Sequence, residues 1–521
     1  MSILTLILLF PIIGAALVAM LPKSARSSIR AVALVATGLT MTAAIIAFLG
    51  YNGAMEGPGG YRFYQKIPWV TSLNISFQVG MDGINVGLIL MGAIVSFSAV
   101  CVSGQIIDRI KEFHFLILIV ITGIMGTFMS IDIFFFYFFH ELALVPTFIM
   151  IGVWGRGKDR NYATYKMTLY LTLGALVALV GLVLLYVQSG AKTFDLITLT
   201  EQLRNNPIHP DSQTTIFGFL LFGFGILVSL WPFHTWAPIG YRAAPTGAAM
   251  LHAGVLKKFG VYGLIRIALP LVPQGAQEWL AVISWLCMGN LLYCGWVAMR
   301  QKDLNLLIGH SSVAHMGFIF LGIASMNLIG LSGAVLVMVA HGFLAALSFG
   351  LSGYLYDQKK NLQINEYGGI LRQIPFIGTL LIMALMASCG LPGFANFAGE
   401  ITVLFGAWNS LPWFVVGAAW GALIIGAIYA LRAIRQMLHG PMSNQTSMLQ
   451  DAPNYWVRLP YALLIACLLL FGIFPHLLTH KIQDSAQDIV ESIEFGIHRE
   501  TIMLAEEIKH TQSKIQLVER E

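Results

Sequence analysis

The sequence predicts an all-α polytopic membrane protein with about fourteen transmembrane helices. Three observations carry this: the composition, the number of long apolar segments and the alternation of basic loops. Of 521 residues, 57% are hydrophobic and 11% are charged, against roughly 25% charged in a soluble domain. A water-soluble fold of this length could not hide so much apolar side chain, so its solvent is lipid. Disorder, a disulfide scaffold and a secreted soluble enzyme are excluded together. The net charge of +5 is small and the bases are scattered, which excludes nucleic acid as a partner.

A hydrocarbon core of about 30 Å takes about 20 apolar residues per helix. Fourteen segments qualify: 2-21, 28-51, 82-105, 112-130, 132-154, 164-188, 215-238, 244-270, 277-299, 303-326, 328-356, 374-408, 410-438 and 457-478. The first is expected to be a retained helix and not a cleaved signal peptide, because Lys23, Arg26 and Arg30 follow it and no base precedes it. Loops after odd-numbered spans carry Lys23, Arg26, Arg30, Arg109, Lys111, Arg156, Lys158, Arg160, Arg300, Lys302, Lys359, Lys360, Arg372, Arg432, Arg435 and Arg458. Loops after even-numbered spans carry only Arg62, Lys66, Lys192 and Arg204. The positive-inside rule then puts the first set in the cytoplasm and both termini outside. Residues 481-521 hold nine acids and five bases, with apolar residues at Ile489, Ile493, Ile497, Leu504 and Ile508. That spacing suits an amphipathic helix, either a solvated appendage or a strut against a neighbouring subunit.

The five cysteines, Cys101, Cys287, Cys294, Cys389 and Cys467, lie in apolar stretches without metal, haem or iron–sulfur spacing. They read as small buried hydrophobes. The informative residues are charges inside spans, each costing at least about 2.5–3.5 kcal/mol on insertion scales. These are Glu141 in IDIFFFYFFHELALVP, Lys257 and Lys258 in HAGVLKKFGVYG, and Glu400 in LPGFANFAGE. They need internal partners or a hydrated cavity. His234, His252, His310, His315 and His341 fall in spans 7, 8, 10 and 11. A single buried histidine is usually just hydrogen-bonded, but this concentration, without ligand spacing, suggests a proton relay more than a metal site. His114 and His140 lie nearer aromatic runs and are weaker candidates. Pro232 and Pro392 interrupt spans 7 and 12. A mid-helix proline removes a hydrogen bond, and in lipid such a break survives only where protein or water covers it. The breaks are five helices apart, an odd number, so the repeated units are expected to be inverted, a pattern that points to an ion pathway.

Taken together, VGMDGINVGL with Asp82, the Glu141 segment, PFHTWAP with His234, HAGVLKKFGVYG with Lys258, VAHMGF with His315, VAHGFLAA with His341 and LPGFANFAGE with Glu400 are specific. Over about residues 1-478 the chain resembles the antiporter-like subunits of proton-pumping NADH:quinone oxidoreductase (respiratory complex I), which are related to Mrp antiporters. Glutamate on span 12 resembles the M-type branch. The resemblance implies helices 1-3 in 1-111, a first five-helix repeat in 112-270, a second, inverted one in 271-438, helix 14 in 439-480 and the tail in 481-521. It implies a relay of Glu141, Lys258, His315, His341 and Glu400, to which Lys257 and His234 are added here. It further implies an inner-membrane protein lying among other antiporter-like membrane-arm subunits. No cofactor is expected in this chain; NADH, FMN, iron–sulfur clusters and quinone would belong to partner subunits. Protons would move outward, coupled to quinone reduction elsewhere. The alternatives are a subunit of a multisubunit cation/proton antiporter or of a membrane-bound energy-converting hydrogenase.

One position departs from the pattern. The span-7 lysine of the family should lie seven residues before His234, where this chain has Leu227. Lys257 is a surplus cation beside Lys258. Adjacent helical residues point about 100° apart, so Lys257 is expected to turn toward span 7 and Glu141 and replace the missing lysine. Lys258 would keep the central relay on the His315 side.

Overall fold

The computed structural model describes residues 2–518, with side chains up to His498 except that of Gln445. Leu504 and Ile508 of the expected tail stripe lie outside the described side chains. The first part of the chain runs α1 (Ile3–Met20), α2 (Arg26–Gly50), β1 (Arg62–Val70), β2 (Ile75–Met81), α3 (Gly83–Val102), α4 (Ile110–Met129), α5 (Ile133–Trp154) and α6 (Arg160–Ser189). A short α7 (Leu196–Asn205) precedes α8 (Pro210–Val228) and α9 (Trp236–Ala243), the two halves of span 7. Span 8 consists of α10 (Thr246–Leu251), α11 (Lys258–Gly263) and α12 (Leu269–Leu271), joined by π-helical turns at His252–Leu256 and Leu264–Ala268. Span 9 is α13 (Pro273–Met288) and α14 (Gly295–Arg300) around a π turn at Gly289–Cys294. Then follow α15 (Leu304–Ala324), α16 (Leu328–Lys359), α17 (Ile370–Gln373), α18 (Pro375–Ser388) and α19 (Ala395–Trp408). The chain closes with α20 (Pro412–Ala419), α21 (Ala427–Ala433), α22 (Asn444–Ser447), α23 (Tyr455–Ile473) and α24 (His476–Val518).

Twelve helical stretches among the described residues are long and apolar enough to cross a bilayer. The other two expected spans, 244-270 and 374-408, are divided into helical pieces too short to count as one long apolar helix. The inner layer is α3, α15 and α16, and α16 is buried along its whole apolar length. The outer layer leaves apolar side chains bare, such as Leu169 and Val183 on α6 and Trp413 on α20, as a lipid-facing surface requires. Glycines set the closest approaches. A Cβ at Gly223 of α8 would lie 2.3 Å from the Ala178 backbone nitrogen of α6, the small-residue packing by which helices associate without a hydrophobic drive.

Two expectations change. Residues 62–81 are not a plain loop but an antiparallel hairpin, Arg62 pairing with Met81 and Lys66 with Gln78, so the chain is not purely α. The tail is not a solvated appendage as far as Ile497. Ile482, Ala486, Ile489, Val490 and Ile493 are buried against this chain's own surface. There Ser485 Oγ accepts from the Gly83 N–H at 2.9 Å, and Gln274 donates to the Gly496 carbonyl at 3.2 Å.

The connections fall on two opposite faces. One gathers the hairpin, the α4–α5 junction, α7 and α24: Ile131 N–H donates to Gln78 O at 3.1 Å, and Ile133 N–H to Phe194 O at 2.9 Å. The other gathers the basic loops, where Arg242 Nε lies 3.3 Å from Asp303 and Leu304 N–H donates to Leu362 O at 2.9 Å.

On the hairpin face Asp132 is fully buried and caps α5 by accepting from the Phe134 and Phe135 N–H groups. Burial pushes its carboxyl up to about 6 despite these bonds, and the nearby Asp195 adds to the rise. Asp195 is desolvated too, but bonds from Gln78 and Lys66 outweigh this and hold it below the usual carboxylate range. The two acids therefore act in opposite senses. A carboxyl with a raised folded-state pKa contributes most below its unfolded value near 4 and loses that contribution as pH rises to about 6. Asp132→Asn should remove this component. The difference in unfolding midpoint between wild type and variant is expected to drift across pH 4–6 and be flat above; a difference that is flat throughout would refute it.

Candidate functional site

The site begins at a helix end. α18 stops at Ser388, where Gly390 takes a left-handed φ of +72° and the Leu391 N–H bonds back to Met386 O, so the Ser388 carbonyl, like any last-turn carbonyl, has no helical donor. His315 of α15 supplies one: its Nε2 lies 3.0 Å from Ser388 O, and its Nδ1 lies 2.7 Å from Ser311 O one turn back. A proton arriving on this ring thus finds an acceptor for each N–H. The same Nε2 is 3.5 Å from Glu400 Oε1 on α19. Gly390, at φ +72°, closes over the carboxylate; a Cβ there would come within 2.9 Å of Glu400 Oε2.

The line continues inward. The His315 and His341 rings are 5.5 Å apart at their centres. His341 Nδ1 lies 2.8 Å from Lys258 Nζ, which also donates to the Ala253 carbonyl at 2.9 Å. A cavity of about 20 Å³ lies among Ser311, Ser312, His315, His341 and Ser388, room for about one water. Lys258, His341, His315 and Glu400 therefore form a contact chain across spans 8, 11, 10 and 12. All four are buried.

Lys257 does not turn toward Glu141. Its ammonium donates to Ser312 O at 3.2 Å and lies 3.4 Å from Ser312 Oγ, with the Tyr241 ring at 5.8 Å. The π turn at His252–Leu256 holds more residues per turn than an α-helix and so rotates the residues that follow; Lys257 is thereby aimed at span 10. Glu141 has no lysine partner among the described residues. It is one-third exposed on the side of α5, and its carboxylate is 3.3 Å from His140 Nδ1. The buried His140 ring packs on Phe259, the neighbour of Lys258.

At the span-7 break, Ser229 takes a left-handed φ of +66° and Asn290 does the pinning. Its Oδ1 accepts from the Trp231 N–H at 2.7 Å, and its amide donates to Ser229 O at 3.2 Å and Val313 O at 2.9 Å. His234 lies beside His310, ring centres 6.4 Å apart, and the Nδ1 atoms of both are buried without a hydrogen-bond partner. His252 packs between Trp236 and Tyr241. His114 turns its Nδ1 to its own helix at Ile110 O, 2.8 Å away, and has no link to the chain. Asp82 caps α3 and pairs with Arg266 of span 8 between the Tyr61 and Tyr262 rings.

Sequence reasoning missed Asn290, which looks like one polar residue in an apolar span, and underrated His140. Asn290 carried a weak signal, an amide where a helix could use only apolar side chains. Among the described residues no three His, Cys, Asp or Glu side chains cluster as a metal site would need.

A polytopic helical protein with two broken spans, joined through its centre by buried ionisable side chains, is the architecture of an ion-conducting membrane subunit. The chain belongs to the NADH:quinone oxidoreductase/Mrp antiporter transmembrane family, whose profile matches residues 130–426. It is 31% identical over 507 residues to NADH-quinone oxidoreductase subunit M of Rhodobacter capsulatus, covering 94% of this chain and 97% of that one. It is 33% identical over 492 residues to the subunit M of Pseudomonas aeruginosa, covering 91% and 94%. Among solved structures, a chain of respiratory complex I from Thermus thermophilus superposes with a TM-score of 0.84 at 28% identity, over 94% of this chain and 99% of that one. A chain of the Mrp complex from a Dietzia species shares the fold, with a TM-score of 0.78 at 16% identity over 95% and 100%.

His315→Ala would leave the Ser388 carbonyl stranded, a loss of about 1–3 kcal/mol for a buried acceptor. The variant is expected to unfold at a lower temperature than wild type, and His315→Gln, whose amide can donate, to recover part of the loss. Equal midpoints for wild type and His315→Ala would refute the carbonyl-capping role.

Proposed function

We propose that this chain is a proton-translocating membrane-arm subunit of an NADH:quinone oxidoreductase of the complex I type. The observation that carries the reading is the contact chain Lys258–His341–His315–Glu400, which crosses a helix break. Relatives bearing the subunit M name along nearly their whole length support it over an antiporter or hydrogenase subunit. The chain is then one part of a translocase. NADH, FMN, iron–sulfur clusters and quinone act in partner subunits and none binds here. Other antiporter-like membrane-arm subunits are its neighbours. The basic loops face the cytoplasm, the membrane is the inner one, and both termini lie on the periplasmic side. Residues 112-270 and 271-438 act as two inverted half-channels.

In this reading a charge change on one group alters the proton affinity of the next, since a neighbouring opposite charge favours the charged form and a like charge disfavours it. Lys258 holds a proton at Nζ and passes it to His341 Nδ1. His341 and His315 exchange through the one-water cavity, and Glu400 receives the proton from His315 Nε2 and releases it outward. Lys257 and His234 feed the chain from the first half. Glu141, on the flank, registers the charge state of a neighbour through His140.

Lys258→Met and Glu400→Gln preserve size but remove the proton carrier. In the reconstituted complex each should lower the number of protons pumped per NADH by about fivefold or more, with the subunit still assembled. Wild-type pumping by both variants would overturn the reading. Glu141→Gln should reduce pumping likewise.

A further inference from the structure

The basic face carries a cavity of about 510 Å³ between the α5–α6 loop, α9 and the loops flanking α15 and α16. Arg156, Lys158, Asp159, Arg242, Asp303 and Lys360 are among the side chains that line it. Tyr162 and Ala163 of α6 and Ile239 of α9 line this vestibule as well. It is open to water at the basic end of α9, the helix that follows the span-7 break.

Lys166 lies on α6, about 9 Å along the helix from its start at Arg160, from a rise of about 1.5 Å per residue. It is half-buried. Its ammonium lies 5.8 Å from the centre of the Tyr162 ring, the vestibule's wall. It is also within electrostatic reach of the His234 ring. The packing explains both. Gly240 of α9 sits so close to Met167 that a Cβ would come within 2.8 Å of its sulfur. One turn further along α6, the Tyr170 hydroxyl meets Thr235 Oγ1, the residue after His234, at 3.5 Å. Lys166 is therefore held on the stretch of α6 that packs along α9, one turn from Tyr162 of the vestibule. Its neighbour across the gap, His234 Nδ1, is buried without a partner, as is His310 Nδ1 beyond it. The next groups along are Lys257 and Ser312.

The geometry points to Lys166 as the entry station for protons, taking them from the vestibule and passing them to His234. The inference rests on the proposed pumping role and adds to it the place of intake. The transfer balances simply. The Lys166 ammonium gives one proton, through a bridging water, to the free Nδ1 of His234. The neutral amine left behind regains a proton from vestibule water. His234 then hands its proton toward His310 and Lys257. No oxidant or co-reactant is involved. Lysine can do this and arginine cannot, because a guanidinium does not deprotonate in proteins. A lysine that merely anchors α6 by extending its charge to the membrane surface would be replaced by arginine without loss.

The experiment uses the intact complex in proteoliposomes, with protons pumped per NADH, subunit retention and uncoupled NADH oxidation all measured. Lys166→Met and Lys166→Arg should both fall to about one fifth of wild-type pumping or less, while Lys166→His, which titrates near neutral pH, should retain about half. All three should keep the subunit assembled. Wild-type pumping by either Lys166→Met or Lys166→Arg overturns the proposal, as does a Lys166→His variant no better than Lys166→Met. Lys258→Met separates this from the broader reading. If Lys258→Met stops pumping and Lys166→Met does not, the entry station alone fails; if neither does, the pumping role itself fails.

Discussion

The architecture depends on one constraint: a backbone carbonyl exposed by a helix break inside lipid must find a donor, and no bulk water is there to supply it. The end of α18 leaves the Ser388 carbonyl without a helical donor, and His315 caps it. At the span-7 break the Asn290 amide caps Ser229 O. In span 8, where π turns loosen the ladder, Lys258 donates to Ala253 O, while Lys257 reaches across to Ser312 O in span 10. The side chains that repair the backbone are, apart from Asn290, the ones able to carry protons. On the proposed function, structural satisfaction and proton handling are two uses of the same hydrogen-bond donors. A change of protonation at His315 alters how well a helix end is held.

The repairs also tie spans 7 and 8 to spans 9, 10 and 11. Asn290 of span 9 holds Ser229 of span 7 and Val313 of span 10. Lys257 of span 8 reaches span 10, and Lys258 of span 8 reaches His341 of span 11. Groups of spans joined only by apolar contact could shift independently. Joined through polar groups buried in a low-dielectric core, each sets the field in which the other titrates. The two ends differ. Glu400 is enclosed beneath Gly390, whereas Glu141 is partly open on the flank of α5, the position from which a neighbouring chain could alter its charge.

What the sequence discloses follows from how local each cause is. Pro232 and Pro392 mark the breaks because the missing N–H is a covalent fact. Glu141, Lys257, Lys258, Glu400 and the histidines stand out because polar groups in lipid are costly wherever they point. Their directions are another matter. Lys257 was expected to face span 7, on ideal helical geometry, but the π turn before it rotates the helix, and such a turn depends on neighbouring spans. The hairpin escaped because Pro68 in β1 argues against a strand and because windows of twenty residues blur elements of nine and seven. Lys166 escaped because it lies at the edge of an apolar segment, where a base reads as the end of a span. The Ile489 and Ile493 stripe of the tail was visible, but not that its partner is the chain's own surface.

Span 8 illustrates what this design costs. It carries Lys257, Lys258 and Arg266 within ten residues, and the two lysines at mid-span alone would cost about 5–7 kcal/mol on insertion scales. Its leucines, isoleucines and valines return only about 0.3–0.6 kcal/mol each, so the helix is not stable in lipid alone. It persists because neighbours replace the lipid. Gly254 lies against the Gly342 carbonyl of α16 and Gly260 against the Phe224 carbonyl of α8. These contacts seat span 8 close enough for each base to find a partner: Ser312, His341 and Asp82. The helix that carries the central charges is the one least able to stand by itself. Any movement of α8 or α16 must therefore be felt first at its lysines.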